Sequence, residues 1–424
     1  MKISIPKETG KDEKRVACTP ETVKKFIKLG YSVHVQQGAG KDASYPDDAF
    51  SDAGAEIAKT KAELFKDAHI VLCVGPLSRT DCQGLGKKTI VIGLLNPYQN
   101  QDVIDAACDN DLILMALELL PRISRAQSMD ALSSQANLAG YKAVLDACAH
   151  YDRAMPMMMT AAGTIAPARV FVMGAGVAGL QAIATARRLG AIVSATDVRP
   201  AAKEQVQSLG ATFVAVEDEE FKEAEAAGGY AKEMSAEYKK KQTALIEETI
   251  AKQDIVITTA LIPGKPAPKL VTDKMIKSMK PGSVIVDMAV TQGGNVEGSK
   301  YGEVIQKHNS TLIGHGNIPA RIAADASSLY SRNLYNLVAG FTRSEDEGSK
   351  NAGTFAPDWD DDILKGLTIT KDGKIVHEKF ERSAASASKP SGKEDSSTKK
   401  KKKQETPSEK ESKDGNTSGK KKAG

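Results

Sequence analysis

Three glycines between an apolar run and an Ala-rich run constrain this fold more than any other feature of the sequence. In RVFVMGAGVAGLQA, Gly174, Gly176 and Gly179 have the spacing G-x-G-x-x-G. The first glycine permits a tight turn, the second lets the backbone approach a pyrophosphate, and the third lets the next helix pack on the strand. Free N–H groups and the helix dipole favour phosphate at the start of that helix. Strand, triplet and helix together predict a Rossmann-type domain that binds a dinucleotide.

An acidic residue follows at the expected distance. The stretch AIVSATDVRP ends its apolar run at Asp197, 18 residues beyond Gly179. A carboxylate there accepts from both adenosine ribose hydroxyls and repels a 2′-phosphate, which favours NAD(H) over NADP(H). Arg199 argues the other way, because a nearby Arg can accept a 2′-phosphate. We give Asp197 more weight because it ends the strand. A glycine-rich turn with a capping Asp and no ligand is the alternative.

Strand and helix patterns alternate through the rest of the chain and predict its fold class. The stretch TPETVKKFIKLG reads as a helix with Thr19 as its N-cap and Gly30 as its stop. The predicted fold is α/β, with two doubly wound Rossmann-like domains flanking a cleft. The first domain spans residues 1–133 and is completed by 320–380, because the helical stretch ASSLYSRNLYNLVAGFT crosses back to it. Residues 134–319 form the dinucleotide-binding domain.

The C-terminal stretch has a different composition. Residues 383–424 are rich in Ser, Lys, Glu and Gly with almost no large apolar side chain, and we expect a disordered, Lys-rich tail. From Ala385 to Gly424 there are twelve Lys and six acidic residues, a net charge of +6. The formal net charge of the whole chain is +4, so the predicted domains carry −2. A basic nucleic-acid surface is therefore not expected.

The cysteines and histidines give no support to a metal site. The five cysteines are odd in number, no two are spaced C-x-x-C, and the six histidines form no H-x-x-x-H pair. We expect no disulfide framework and no metal, in a reducing compartment. The sequence also has no apolar run of about 18 residues and no signal-peptide pattern. A soluble, cytoplasmic protein is predicted.

A polar segment, PRISRAQSMDALSSQAN, lies between the two predicted domains. It offers two Arg, two Gln, an Asp and four Ser from Pro121 to Asn137. From residue types alone, an interdomain linker with Ser124 or Ser128 as a helix N-cap is slightly favoured. A loop that binds a ligand is the alternative.

Five stretches of the sequence resemble one family. KETGKDEKRVACTPE, the polar segment with its continuation, the glycine stretch, GGYAKEMS and TTALIPGKPAP are similar to the NAD(H)-binding part of proton-translocating nicotinamide nucleotide transhydrogenase alpha subunits, over about residues 1–380. The resemblance implies an enzyme that binds NAD(H) and passes hydride from NADH to NADP(H) sites on a separate beta subunit, coupled to proton movement by a small membrane subunit. It also implies a cytoplasmic homodimer, attached to the inner membrane only through these partners.

The resemblance assigns roles to individual residues. A loop that grips the nicotinamide end corresponds to Arg122, Gln127, Asp130 and Ser133. Gly229 and Tyr230 correspond to a mobile loop that closes over the nucleotide. The full set of predicted cofactor contacts is Gly174, Gly176, Val177, Gly179, Asp197, Val198, Arg199, Gly229, Tyr230, Gln242 and Leu261. Arg125 stays ambiguous, and we interpret Ser134 and Gln135 as structural.

Two other functions remain as alternatives. An alanine dehydrogenase needs an Arg, a Lys and a His in the first domain to bind a 2-oxo acid and move protons. Arg15 is present, but Gly75 stands where the Lys would fall, and Leu95 or Asn96 where the His would fall. Lys7 and Arg15 are then either solvated or interface charges, or functional residues, with neither favoured. A non-catalytic NAD-binding scaffold is the third hypothesis, for which the gripping loop would be surplus.

Overall fold

Two mostly parallel sheets organise the chain, whose computed structural model describes residues 1–222, 234–262, 264–343 and 353–383. Gly229, Tyr230 and the predicted tail from residue 384 lie outside the described residues. The strands are β1 (Lys2–Ile5), β2 (Ser32–Gln36), β3 (Glu56–Ala58), β4 (Ile70–Leu72), β5 (Ile90–Gly93), β6 (Ile113–Ala116), β7 (Met158–Thr160), β8 (Gly163–Ile165), β9 (Arg169–Met173), β10 (Ile192–Thr196), β11 (Thr212–Phe213), β12 (Ile255–Thr258), β13 (Ser283–Asp287), β14 (Val304–Lys307), β15 (Ser310–Ile313), β16 (Thr342–Arg343), β17 (Thr354–Phe355), β18 (Thr368–Lys371) and β19 (Lys374–Ile375).

Helices connect most of these strands. The α-helices are α1 (Pro20–Lys28), α2 (Asp47–Asp52), α3 (Lys61–Phe65), α4 (Arg79–Gln83), α5 (Gln101–Asp109), α6 (Ala131–Ala149), α7 (Val177–Arg188), α8 (Ala202–Ser208), α9 (Glu219–Lys222), α10 (Ala236–Ile250), α11 (Asp273–Ser278), α12 (Ala323–Gly340) and α13 (Asp362–Leu367). The 3₁₀ helices are Lys41–Ala43, Leu117–Leu119, Ser124–Met129, Val290–Gln292 and Pro319–Ile322. Helix α1 follows its predicted N-cap Thr19, and Gly30 beyond its end has a φ of 90°, which favours glycine.

The first sheet has the strand order β19-β18-β6-β5-β4-β1-β2-β3. Strands β1 to β6 pair in parallel, whereas β18 pairs antiparallel with both β6 and β19. The chain thus returns to its first sheet after forming the second. Helix α12 packs in the same core, where Tyr330, Leu334 and Leu337 are fully buried. Each buried aliphatic side chain of this kind stabilises the fold by about 1.5–3 kcal/mol.

The second sheet has the strand order β11-β10-β9-β12-β13-β15-β14 and is parallel except for β14. The apolar runs IVIT and SVIVD are buried along their whole length, as expected for strands covered on both faces. The predicted fold class, α/β with two doubly wound sheets, is confirmed. The boundaries at residues 133 and 320 stay predictions. No helix among the described residues is both long enough and apolar enough to cross a membrane.

Helix α6 connects the two sheets, and its packing explains one glycine. A Cβ on Gly140 would lie 2.0 Å from the carbonyl oxygen of Ala178, in the first turn of α7. Asn137 also donates from Nδ2 to Oε1 of Gln181 at 3.2 Å. Only glycine at position 140 allows the two helices to approach this closely. Helix α6 is therefore fixed against the helix that follows the glycine triplet.

Candidate dinucleotide site

The glycine triplet forms the turn from β9 to α7. Gly174 has a φ of 107°, and a Cβ there would lie 2.4 Å from Oγ1 of Thr259. A Cβ on Gly179 would lie 1.8 Å from the Gly174 carbonyl oxygen, so α7 packs directly on the turn. A Cβ on Gly176 meets no described atom within 4 Å, which leaves open space before the helix N-terminus. These three environments fit the three roles expected of a pyrophosphate-binding turn.

Asp197 and Arg199, which the sequence set against each other, form one ion pair. Oδ1 of Asp197 accepts from the main-chain N–H and Nε of Arg199, both at 2.9 Å. Oδ2 accepts from Nη2 of Arg199 at 3.0 Å and from the main-chain N–H of Ala175 at 2.7 Å. The carboxylate thereby ties the glycine turn to the end of β10. Because a carboxylate has about four acceptor positions, a ribose hydroxyl would replace one of these donors.

Three apolar side chains are exposed near the carboxyl ends of neighbouring strands of the second sheet. Val177 follows β9, Val198 follows β10 and Leu261 follows β12, with 42%, 63% and 46% of their surfaces exposed. The fully buried Asn295 holds the loop before Leu261, bonding the N–H and carbonyl of Ala260 at 3.1 and 2.9 Å. Ligands of open parallel sheets bind beyond the carboxyl ends of the strands. These side chains suit an apolar contact with a nucleotide base.

Gln242, a further predicted contact, is bonded within the protein. Its Oε1 accepts from the Val216 N–H at 2.9 Å, and its Nε2 donates to Oγ1 of Thr196 at 3.2 Å. It therefore attaches α10 to the end of β10. The predicted closing residues Gly229 and Tyr230 lie in the range 223–233, which the structure does not describe.

The polar segment folds as a 3₁₀ helix, Ser124–Met129, followed directly by α6. The predicted N-caps Ser124 and Ser128 are wrong, because Asp130 caps α6. Oδ1 of Asp130 accepts from the Ser133 N–H at 2.9 Å, and Oδ2 accepts from the Ser133 hydroxyl. The structure thus brings two of the four predicted catalytic residues into contact. Asp130 reaches the free N–H groups because it is the residue next to the first helical turn.

The other two predicted catalytic residues, Arg122 and Gln127, are exposed on the same segment. Two neighbours in the 3₁₀ helix, Ala126 and Met129, are buried, so one face anchors the segment while the polar face points outward. Arg125 is placed elsewhere, since Nη1 and Nη2 bond both Asp361 oxygens at 2.7 and 2.8 Å. The side-chain hydrogen bonds from Arg125 lower the pKa of Asp361. Arg125 therefore attaches the segment to α13.

Arg15 is a buried interface charge rather than a solvated one. Its Nε and Nη2 donate to both oxygens of Glu13 at 2.8 and 2.7 Å, and its Nη1 donates to Oε1 of Gln135 at 2.7 Å. Asn317, in the loop after β15, donates to Glu13 at 2.9 Å. Burial would raise the pKa of Glu13, but the hydrogen bonds from Arg15 hold it below its ordinary value. With these bonds made, Arg15 does not offer a free cation to a substrate carboxylate.

Glu8 lies where an amino-acid dehydrogenase would place its Lys. Its carboxylate accepts from the N–H groups of Val74 and Gly75 at 2.6 and 3.2 Å. A Cβ on Gly75 would lie 3.5 Å from Oε2 of Glu8. Burial raises the pKa of Glu8 to about 7, although the two main-chain hydrogen bonds act to lower it.

A second carboxylate occupies the corresponding position after β5. Glu118 accepts from the N–H groups of Leu95 and Asn96 at 3.2 and 2.6 Å. Its pKa is raised by burial. The two strand ends that would carry a Lys and a His therefore face carboxylates, which do not suit the carboxylate of a 2-oxo acid. Within the portion of the chain that the structure describes, no group of three or more His, Cys, Asp and Glu could hold a metal.

Comparison with known proteins gives matches along the whole described chain. The family description "Alanine dehydrogenase/PNT, N-terminal domain" matches residues 4–139, and "Alanine dehydrogenase/PNT, C-terminal domain" matches residues 143–378. The chain is 52% identical over 382 residues to the first polypeptide of the split NAD(P) transhydrogenase subunit alpha of Rhodospirillum rubrum, covering 89% of this chain and 98% of that protein.

Two further relatives agree. The chain is 49% identical over 389 residues to the corresponding first polypeptide of NAD(P) transhydrogenase subunit alpha of Rickettsia prowazekii, covering 90% of this chain and 98% of that protein. The solved structure of a transhydrogenase from Sinorhizobium meliloti superposes with a TM-score of 0.80 at 50% identity, covering 89% of this chain and 100% of that one.

Proposed function

The chain belongs to the alanine dehydrogenase/PNT family, and we propose that it is the NAD(H)-binding part of a transhydrogenase alpha subunit. It is a hydride-transfer enzyme, and its hydride acceptor is NADP⁺ held on a partner subunit. One observation carries this assignment: the capped turn with Asp130 and Ser133 is on the same helix that packs against α7 at Gly140. Ser133 precedes Gly140 by seven residues, which is roughly 10 Å along the helix axis.

The reaction determines what the protein must supply. Hydride passes directly between two nicotinamide rings, so no protein acid or base takes part. The rings must meet at about 3–3.5 Å with water excluded. The protein therefore contributes orientation. Arg122, Gln127, Asp130 and Ser133 hold the nicotinamide carboxamide and its ribose, and the Asp130–Ser133 contact keeps these acceptors and donors in place.

The remaining cofactor contacts belong to the second sheet. The glycine turn and the N-terminus of α7 hold the pyrophosphate. Asp197 binds the adenosine ribose, and the proposed order of events is that a ribose hydroxyl replaces part of the Arg199 guanidinium contact. The full proposed set is Gly174, Gly176, Val177, Gly179, Asp197, Val198, Arg199, Gly229, Tyr230, Gln242 and Leu261.

The partners follow from this role. We propose a homodimer that works with an NADP(H)-binding beta subunit and a small membrane subunit, in the cytoplasm and at the inner membrane only through those subunits. The β7–β8 hairpin supports an interaction between copies, because Met157, Met159 and Ile165 expose 60%, 76% and 42% of their surfaces. Exposed apolar groups that cluster in this way mark interaction sites. The same complex couples hydride transfer to proton translocation.

Alanine dehydrogenase activity is the alternative that the geometry opposes. The Arg15 guanidinium is bonded to Glu13 and Gln135, and Glu8 and Glu118 face the strand ends where the Lys and His would be needed. A non-catalytic scaffold would have no use for the capped Asp130–Ser133 turn.

The proposed function has a direct test. The purified chain should bind NADH, measured by the change in dihydronicotinamide fluorescence, and should not reduce NAD⁺ when alanine is added. Hydride should pass from NADH to thio-NADP⁺ only after the NADP(H)-binding beta subunit is added. Alanine-dependent reduction of NAD⁺, or no transfer with the beta subunit present and NADH bound, would contradict the proposal.

A further inference from the structure

We propose that Asn333 is a positioning residue for hydride transfer, which fixes the 3₁₀ helix carrying Gln127 relative to the first turn of α6. Asn333 belongs to α12 and is buried, with 8% of its surface exposed. This inference rests on the proposed function, because it concerns the segment that orients the nicotinamide. The side chain of Asn333 bonds the chain neighbours of the orienting residues, so it acts on the nicotinamide through them.

Both ends of the Asn333 amide bond the polar segment. Its Oδ1 accepts from the Ser134 hydroxyl at 2.7 Å, and its Nδ2 donates to the Ser128 carbonyl oxygen at 2.9 Å. Ser128 directly follows Gln127, and Ser134 directly follows Ser133. The single amide therefore spans the bend between the 3₁₀ helix and α6.

Apolar packing alone would leave this bend less well determined. Ala126 and Met129 pack in the same core as Leu334 and Leu337 of α12. That packing is non-directional, so it holds the 3₁₀ helix against α12 without fixing its rotation. Hydrogen bonds weaken steeply when donor and acceptor leave alignment. The Asn333 amide thus supplies the directional restraint between the two parts of the segment.

The position of Asn333 is itself tied to the first sheet. Tyr330, one helical turn earlier, is fully buried and donates from its hydroxyl to the Cys73 carbonyl at 2.7 Å. The same hydroxyl accepts from the Leu94 N–H at 3.2 Å. These two partners lie directly after β4 and β5. Helix α12 therefore transmits the frame of the first sheet to the nicotinamide-orienting segment.

Asn336 offers a matched control one turn further along α12. Its Nδ2 also donates to the Ser128 carbonyl, at 3.0 Å, but the residue is partly exposed. This bond reaches the 3₁₀ helix and does not extend to α6. Removing Asn336 deletes a hydrogen bond to the same acceptor while the bridge across the bend remains.

The experiment compares Asn333→Ala, Asn333→Asp, Ser134→Ala and Asn336→Ala in the full chain. Single-turnover hydride transfer from NADH to thio-NADP⁺ is measured with the beta subunit, beside NADH affinity and thermal unfolding. We expect Asn333→Ala to slow transfer by about ten- to a hundredfold, because small misplacements of reacting groups have effects of that size. NADH affinity should stay within about twofold, since most binding contacts lie on the second sheet. Asn336→Ala should match the wild type.

A double-mutant cycle with Gln127→Asn separates positioning from a general loss of structure. If Asn333 acts through Gln127, its replacement should slow transfer much less in the Gln127→Asn background. Additive effects would overturn the proposal. So would a wild-type rate in Asn333→Ala, or a fall in rate that only follows weaker NADH binding. If Asn333→Ala does not fold, Asn333→Asp and Ser134→Ala each break one end of the bridge and should show intermediate rates.

A readout on the chain alone distinguishes failure of this inference from failure of the proposed function. The fluorescence anisotropy of NADH bound to Asn333→Ala should be lower than on the wild type or Asn336→Ala, because the nicotinamide is less restrained. Equal anisotropy in all three proteins would overturn the positioning role. Absence of transfer to thio-NADP⁺ in every protein, the wild type included, would count against the proposed function instead.

Discussion

The Arg15 guanidinium donates to the Gln135 amide oxygen at 2.7 Å and so joins the loop after β1 to the N-terminal part of α6. Both residues are buried, with 7% and 5% of their surfaces exposed. Glu13 neutralises Arg15 on its other side and also bonds Asn317 from the second domain. A residue that the sequence left undecided thus lies at the junction of three segments, directly behind the turn that carries Asp130.

Replacement of Arg15 should therefore destabilise the protein strongly. Arg15→Met leaves Glu13 buried without its cation, which costs about 3–5 kcal/mol in comparable buried pairs. Glu13→Gln combined with Arg15→Met should restore part of this loss. Chemical denaturation measures both. Arg125→Ala removes the exposed pair with Asp361 and serves as the control, which should change stability much less. Equal losses for Arg15→Met and Arg125→Ala would contradict the assignment of Arg15 to a buried interface.

Two glycines of one turn should respond in opposite ways to the same substitution. Gly179→Ala forces a Cβ to 1.8 Å from the Gly174 carbonyl and should lower the thermal unfolding temperature by several degrees. Gly176→Ala meets no described protein atom, so stability should hold, but its methyl group should occupy the space expected for a pyrophosphate. NADH affinity should then fall by about tenfold or more. Unchanged NADH affinity in Gly176→Ala would place the pyrophosphate elsewhere.

The environments of these glycines show what sequence patterns can predict. The fold class and the glycine turn follow from local patterns, because hydrophobic runs and a triplet of fixed spacing have few structural solutions. The helix cap at Asp130 was missed, since Ser124, Ser128 and Asp130 are all good N-caps and tertiary packing decides where the helix begins. The partners of Arg15 and Asn333 were missed for another reason. Gln135 and Ser128 are far from them in the chain, and only the folded structure brings them together.

Asp197 should control both affinity and the choice between nucleotides. Asp197→Asn removes a charged acceptor and loosens Arg199, which now bonds both carboxylate oxygens. NADH affinity should fall by about tenfold or more, because hydrogen bonds to a charged group contribute about 1.5–3 kcal/mol. NADPH affinity should fall less or rise, since a 2′-phosphate is no longer repelled. Fluorescence titration with both nucleotides measures the ratio, and an unchanged ratio would exclude Asp197 from the ribose contact.

Gln127 should affect the rate of transfer more than it affects binding. Gln127→Asn shortens an exposed side chain on the 3₁₀ helix without touching the buried face of that helix. If Gln127 orients the nicotinamide ribose, single-turnover transfer should slow by about tenfold or more while NADH affinity changes by about twofold. Ser128→Ala, at the next exposed position, is the control and should behave as the wild type. Parallel losses of rate and affinity in Gln127→Asn would argue for a binding role only.

Glu8 should make the stability of the protein fall as the pH rises from about 4.5 to about 7. Burial raises its pKa in the folded state to about 7 from an ordinary value of 4.5. Between these values the folded chain binds more protons than the unfolded chain, so stability decreases with increasing pH across that window. Glu8→Gln, which stays neutral, should remove this part of the slope. Denaturant titrations of both proteins from pH 4 to pH 8, about the full width of the transition, measure it. Parallel stability curves would show that the Glu8 carboxylate is ionised in the folded protein throughout that range.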